Sequence, residues 1–332
     1  MSLVEAAQNA DTNFSHIPII DLTDVSSTDP SRRQALANTI RDACINVGFL
    51  YIKNHGIPEV LINGALNASK EFFSLPEEKK LEIDIRKTPN FKGYTALLSS
   101  NNDPSNRGDM HEGFEFGWEE MVPKVDDEKR ASDGVMAGAN VWPEGVPGFR
   151  ESVLGYYHAA VDLGKKLFPM FALALNLNEH FFDDKTRNAA AIMRVLHYPP
   201  QTGPVDDRVI GIGAHTDFEC FTILWQEPGI QALQVLNAQK QWIDASPIPG
   251  TLVVNLGDQF ARWTNDVFKS TVHRAVNRTG IRRYSIPLFF GTDYDVRLEP
   301  ISSCVTVDQP SKYEVVTAGE YVQMRLKAAY GH

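Results

Sequence analysis

Two imidazoles, a carboxylate and a guanidinium stand close together in the second half of the chain: His215 and Asp217, then His273, then Arg283 with Ser285 two residues on. On a single strand, a spacing of two would put His215 and Asp217 on one face, about 6 to 7 Å apart along the chain, which suits two neighbouring positions on one metal ion. His273, supplied by a different strand, would complete a 2-His-1-carboxylate face. Such a face leaves three positions open on Fe(II) for a co-substrate and O2. Arg283 offers a planar fork for a carboxylate and stays charged when desolvated, and Ser285 can add one hydrogen bond from the same side. Each element alone is a common accident. Their order within about 70 residues of strand-like sequence, inside one fold unit, favours the metal reading.

The elements needed to position these groups are legible. Leu36, Ile40, Cys44 and Val47, then Leu61, Ala65 and Phe72, recur at helical spacing, with the apolar strand Phe49 to Ile52 between them. Ser74-Leu75-Pro76-Glu77 has capping-box spacing and predicts a short third helix with Pro in its first turn. Residues 98–145, rich in Asn, Asp, Gly and Pro, predict long loops around a strand at Gly113 to Gly117, and Asp126 to Arg130 a solvated charged face. Val153, Tyr157, Ala160, Leu163, Leu167 and Phe171 predict a long helix between Pro147 and Leu177, bent near Pro169. Beyond Ala190, β-branched and aromatic runs predict strands at Val209 to Ile212, Phe221 to Trp225, Thr251 to Asn255, Arg283 to Phe290 and Cys304 to Val307. The expected fold is therefore mainly β with a helical layer: a double-stranded β-helix (jelly roll) core over residues 190–310, an N-terminal helical and mixed region over 1–120, and one integrated domain over 1–332.

Composition bounds the partners. The 332 residues are 43% hydrophobic and 22% charged, enough to bury a large core, and the formal net charge of −10 argues against nucleic acid or an anionic membrane surface as a partner. No apolar run reaches the roughly 18 residues of a membrane span, and the polar start lacks a signal core. Cys44, Cys220 and Cys304 are scattered and odd in number, which fits a reducing compartment; the expectation is a cytoplasmic monomer or weak homodimer.

The same residues carry a resemblance. Ile17-Pro18-Ile19-Ile20-Asp21-Leu22, Gly48-Phe49-Leu50-Tyr51-Ile52 with Asn54-His55-Gly56-Ile57, Phe72-Phe73-Ser74-Leu75-Pro76, Gly93-Tyr94, Glu115-Phe116-Gly117, Arg194 with His197-Tyr198-Pro199-Pro200, and Val254-Asn255-Leu256-Gly257-Asp258 join the metal motifs. Over most of its length the chain resembles the Fe(II)/2-oxoglutarate-dependent dioxygenases, in the branch that includes isopenicillin N synthase and many fungal and plant biosynthetic oxygenases. The resemblance implies His215, Asp217 and His273 as iron ligands. It implies Arg283, Ser285 and Tyr198 as the residues that hold the far carboxylate of 2-oxoglutarate, with Leu196 where the family often has Asn. It implies O2 as the other co-substrate and a small-molecule acceptor, in secondary metabolism, that is hydroxylated, desaturated or rearranged. Arg-x-Leu-His-Tyr-Pro and the stretch from Arg262 to Arg274 are similar to the fungal thymine 7-hydroxylase branch, which implies Arg194, Phe218 and Phe289 on the substrate wall. Phe218 replaces a common Tyr there, so thymine itself is not expected. A planar acceptor held by Phe218, Phe289 and Phe116, with Arg194 facing an oxygen, is. Two alternatives stay open at this point: an iron oxidase that uses no 2-oxoglutarate, and a non-catalytic binding protein on the same fold.

Overall fold

A computed structural model describes residues 2–101, 108–121, 138–201 and 210–330; for 328–330 it gives only the helical backbone. In chain order the elements are α1 (Leu3–Gln8), β1 (Ile19–Asp21), α2 (Pro30–Asn46), β2 (Phe49–Lys53), α3 (Glu59–Phe73), α4 (Glu77–Leu81), β3 (Gly93–Thr95), β4 (Glu112–Phe116), α5 (Phe149–Ala174), β5 (Ala191–Tyr198), β6 (Ile212–His215), β7 (Phe221–Gln226), β8 (Leu233–Leu236), β9 (Trp242–Asp244), β10 (Thr251–Leu256), α6 (Asp258–Trp263), β11 (His273–Ala275), β12 (Arg283–Phe290) and α7 (Ala318–Tyr330).

The strands form two sheets. The larger runs β1-β2-β10-β7-β12-β5-β4-β3 and the smaller β6-β11-β8-β9. This is the expected jelly roll, widened by N-terminal strands: β2 pairs antiparallel with β10 at one edge, and β4 with β5 toward the other. Burial alternates weakly in the central strands because both faces are covered, one by helices and one by the site; β12 has seven buried residues out of eight. α5 packs against α2, α3 and β12. Its inward residues, including Val153, Leu154, Tyr157, Ala160 and Phe168, are nearly inaccessible and join Phe221 and Phe290 of the sheet in the main core. Fully burying such side chains contributes about 1.5–3 kcal/mol each before conformational entropy is set against it.

Helix starts follow local chemistry. The Asp29 carboxylate accepts from the Ser31 amide at 2.9 Å and Pro30 occupies the first turn of α2, where its missing N–H costs nothing. The expected capping box at Ser74 does not form. Ser74 Oγ instead donates to the Glu71 carbonyl at 2.7 Å, closing the end of α3, and α4 begins after Pro76 without a side-chain cap. Pro169 lies inside α5, as expected.

The strand expected at Cys304 to Val307 is absent. Cys304 ends a 3-10 turn (Ser302–Cys304), Val307 is 98% exposed, and Thr306 and Gln309 bond each other's backbones in a tight turn. A β-branched run without a neighbouring strand has no ladder to join. The charged stretch Asp126 to Arg130 lies outside the described residues, as does the start of the expected strand Val209 to Ile212; β6 is assigned from Ile212.

Candidate metal and co-substrate site

The metal-ligating face is built by strand register. β11 runs antiparallel to β6 with His273 directly opposite His215, which sets the two rings 4.4 Å apart between centroids. Each ring turns its Nδ1 to a backbone carbonyl two residues earlier, His215 to Gly213 at 2.7 Å and His273 to Thr271 at 3.1 Å. A carbonyl can only accept, so Nδ1 carries the proton and Nε2 keeps its lone pair for the centre of the site. β6 ends at His215. Asp217 therefore sits just beyond the strand, with its Oδ1 3.6 Å from His215 Nε2 and 3.7 Å from His273 Nε2.

That segment is held from outside. The Asp258 and Gly257 amides donate to the Asp217 and Cys220 carbonyls, both at 2.9 Å. Gly257 is required by close approach, since a Cβ there would lie 2.2 Å from the Glu219 carbonyl oxygen. The second oxygen of Asp217 accepts from Asn255 Nδ2 at 2.7 Å and from Thr222 Oγ1 at 2.5 Å, which leaves Oδ1 facing the histidines. Burial and the neighbouring His273 push His215 down to about 4, so at neutral pH it is the unprotonated ligand a metal needs. Burial alone would raise Asp217; the two histidines and the bonds from Thr222 and Asn255 outweigh it and hold the carboxylate below its ordinary range. Ligand atoms of the three residues all lie within 4.8 Å of one another. This donor set fits a divalent iron with open positions.

Beside it lies a charge without a counter-charge. Arg283 is 1% exposed; Nη2 donates to Gln226 Oε1 at 3.1 Å, while Nε and Nη1 have no hydrogen-bond partner. Among the described residues no carboxylate pairs with it. Burying a guanidinium without a counter-charge is costly, and an anion in the cavity would offset that cost. Tyr198 is the cross-strand neighbour of Arg283, its ring 4.8 Å from the guanidinium, and its hydroxyl accepts from Ser285 Oγ at 3.3 Å. Arg283, Ser285 and Tyr198 line the same cavity as the three ligands, and a dicarboxylate reaching from metal to Arg283 fits that donor set.

The remaining wall is mixed. Arg194, Phe218 and Phe289 line the cavity as expected. Arg194 is paired, with Nε 2.8 Å from Glu115 Oε1. Phe116 does not reach it. As the strand neighbour of Glu115 it points to the opposite face of β4, fully buried against Phe114, Trp142 and Tyr157. The alternation along β4 assigns the wall position to Glu115 and the core position to Phe116. Sequence reasoning also missed Glu219, Tyr294 and the C-terminal helix α7. Val322 and Leu326 of α7 close the cavity, and Arg325 lies over the Phe218 ring at 4.4 Å while pairing with Asp258. The spacing of Tyr321, Val322, Arg325 and Leu326, one helical turn apart, was the available signal.

Comparison with known proteins agrees with this geometry. Residues 17–145 match the family model for the N-terminal region of non-haem dioxygenases in morphine synthesis, and residues 189–292 that of the 2OG-Fe(II) oxygenase superfamily. The chain is 38% identical to the 2-oxoglutarate-Fe(II) type oxidoreductase hxnY of Emericella nidulans over 95% of this chain and 90% of that one. It is 33% identical to the homoarginine-6-hydroxylase 2-ODD-C23 of Glycine max over 88% of this chain and 90% of that one. The crystal structure of a full-length Neurospora crassa protein in complex with alpha-KG and thymine superposes with a TM-score of 0.82 at 30% identity, covering 94% of this chain and 96% of that one. The metal-ligand triad, the jelly roll that carries it and these matches together show that the chain belongs to the 2OG-Fe(II) oxygenase superfamily.

Proposed function

We propose that this 2-oxoglutarate-dependent dioxygenase oxidises a planar small molecule of secondary metabolism, with Arg283, Ser285 and Tyr198 holding the far carboxylate of 2-oxoglutarate and Arg194, Phe218 and Phe289 receiving the acceptor. The observation that carries the co-substrate assignment is the buried, partly unpartnered guanidinium of Arg283 beside the iron ligands. Bound Fe(II) supplies the redox chemistry, coupling loss of CO2 from 2-oxoglutarate to oxidation of a substrate C–H bond with O2. The residues do the rest. His215, Asp217 and His273 would hold the metal; Asn255 and Thr222 orient Asp217; Gln226 orients Arg283. Phe218, Phe289, Val322 and Leu326 exclude water from the reacting end.

The substrate assignment draws on the relatives. One named relative is a homoarginine hydroxylase and one superposed structure holds thymine, so nitrogen-rich acceptors are within the reach of this fold. The Arg194–Glu115 pair supports an acceptor with both a hydrogen-bond acceptor and a donor. We further propose one integrated unit, supported by the β2–β10 and β4–β5 pairings, acting as a monomer or weak homodimer in the cytoplasm without a nucleic-acid partner, in line with the net charge of −10. No helix among the described residues is long and apolar enough to cross a membrane.

The test is succinate release from 2-oxoglutarate by the iron-loaded enzyme. Arg283→Ala is expected to raise the 2-oxoglutarate concentration needed by about 100-fold, the loss of a desolvated charge-assisted pair. Equal requirements in parent and variant would remove Arg283 from the co-substrate site.

A further inference from the structure

Glu219 has no part in the reaction as read so far, yet it occupies the wall of the same cavity. Its residue exposure is 7%. Oε1 takes a long bond from the Tyr294 hydroxyl at 3.4 Å, and Oε2 has no hydrogen-bond partner. No cation among the described residues pairs with it. The backbone around it is shaped to leave room. A Cβ on Gly291 would lie 2.1 Å from Oε2, so the side chain sits here because residue 291 is glycine, while one on Gly257 would lie 2.2 Å from the Glu219 backbone carbonyl, which fixes the turn that carries it. A buried carboxyl with unused acceptor capacity is destabilising unless something satisfies it. Tyr294 and Gln259 reach Glu219 from the protein side, and Ile192, Phe218, Phe289, Val322 and Leu326 share the cavity wall with it, so a molecule filling the cavity is the further source of a partner.

We propose that Glu219 is a specificity-determining residue that accepts a hydrogen bond from a ring N–H of the substrate, so that the preferred acceptors are planar nitrogen heterocycles bearing that N–H. This rests on the oxygenase reading of the cavity. The two aromatic side chains favour a flat ring, and the carboxyl fixes its rotation by rewarding one edge. N-methylation of that edge removes the donor and adds bulk against a desolvated oxygen, which is the kind of mismatch buried polar sites reject most strongly.

The experiment is an anaerobic titration of the Fe(II) and 2-oxoglutarate complex, followed by its visible charge-transfer band. The probes are 2-pyridone and uracil, each against its fully N-methylated counterpart. The band is recorded before any probe is added. Its absence in the parent would overturn the oxygenase reading itself, a result separate from anything the probes report. With the band present, at least one N–H probe is expected to perturb it with at least about tenfold tighter binding than its N-methyl partner. Glu219→Leu should erase that preference by weakening the N–H probe alone. Glu219→Gln, which keeps one acceptor oxygen, should retain part of it, and it carries the comparison if the leucine variant forms no band. The proposal is overturned if no probe perturbs the parent's band, if N–H and N-methyl probes bind alike, or if the preference survives unchanged in the variants.

Discussion

The two ends of the cavity are built by different rules. At the iron end each ligand is fixed from behind: Nδ1 of both histidines faces a carbonyl, and Asp217 is held by Asn255, Thr222 and the Asp258 backbone amide at the start of α6. At the substrate end the walls come from β4, β5, β12 and a helix more than 100 residues after the first ligand, and the polar groups are an ion pair and a carboxyl with spare capacity. The first end holds one geometry for chemistry that does not change. The second offers shape and a few unsatisfied groups, the features that set which molecule is oxidised.

That contrast can be broken in order of effect. Asp217→Ala removes one of three ligands and is expected to lower Fe(II) affinity by well over about 100-fold, measured by equilibrium dialysis, because even the partners that orient ligands commonly cost 10–100-fold. An unchanged affinity would deny that this cluster is the metal site.

The next effect concerns the support of β6. Burial and the nearby Arg194 push His111, which bonds the Gly211 carbonyl at 2.9 Å, from its ordinary 6.5 down to about 4. The unfolded chain then binds more protons than the folded one between these values, so stability present above pH 6.5 is lost as the pH falls toward 4. Denaturant unfolding of the apo-protein should show a loss on the order of 3 kcal/mol from this group, reduced in His111→Asn. A flat profile in the parent would contradict the burial of a neutral imidazole there.

Asn255→Ala leaves the ligands in place and loosens only the orientation of Asp217. Iron affinity should fall by about 10–100-fold with little change in unfolding midpoint, and loss of stability without loss of iron would make Asn255 a packing residue instead. The smallest expected effect is Phe116→Leu, which trims a ring from the core and not from the cavity. It should cost about 1–2 kcal/mol in denaturant unfolding while leaving 2-oxoglutarate affinity within about twofold. A change in acceptor preference without a stability cost would return Phe116 to the substrate wall.

How much of this was legible follows from the range of the signals. The strands at Phe221 and Thr251 and the strand from Arg283 to Phe290 announce themselves by local composition, and the spacing of α5 residues does the same for the long helix. The ligand types and their order are local too. Which face a residue takes is not: Glu115 and Phe116 are neighbours in sequence and differ in role because β4 presents alternate residues to the cavity and to α5. The short strands β8 and β9 and the closing helix α7 depend on partners far along the chain, and the unpartnered oxygen of Glu219 lies against Gly291, more than 70 residues away in sequence. Cys304 to Val307 shows the converse, a strand-like composition with no edge to join.

The central claim is that one cavity holds iron on His215, Asp217 and His273 and 2-oxoglutarate between that iron and Arg283. Its most direct test is an anaerobic titration of the apo-protein with Fe(II) and then 2-oxoglutarate, watched in the visible region, with Arg283→Ala beside the parent. The account predicts one equivalent of iron in both proteins and a charge-transfer band that saturates in the parent and needs about 100-fold more 2-oxoglutarate in the variant. Iron uptake with no band at any 2-oxoglutarate concentration would contradict the co-substrate assignment, and no iron uptake would contradict the metal site itself.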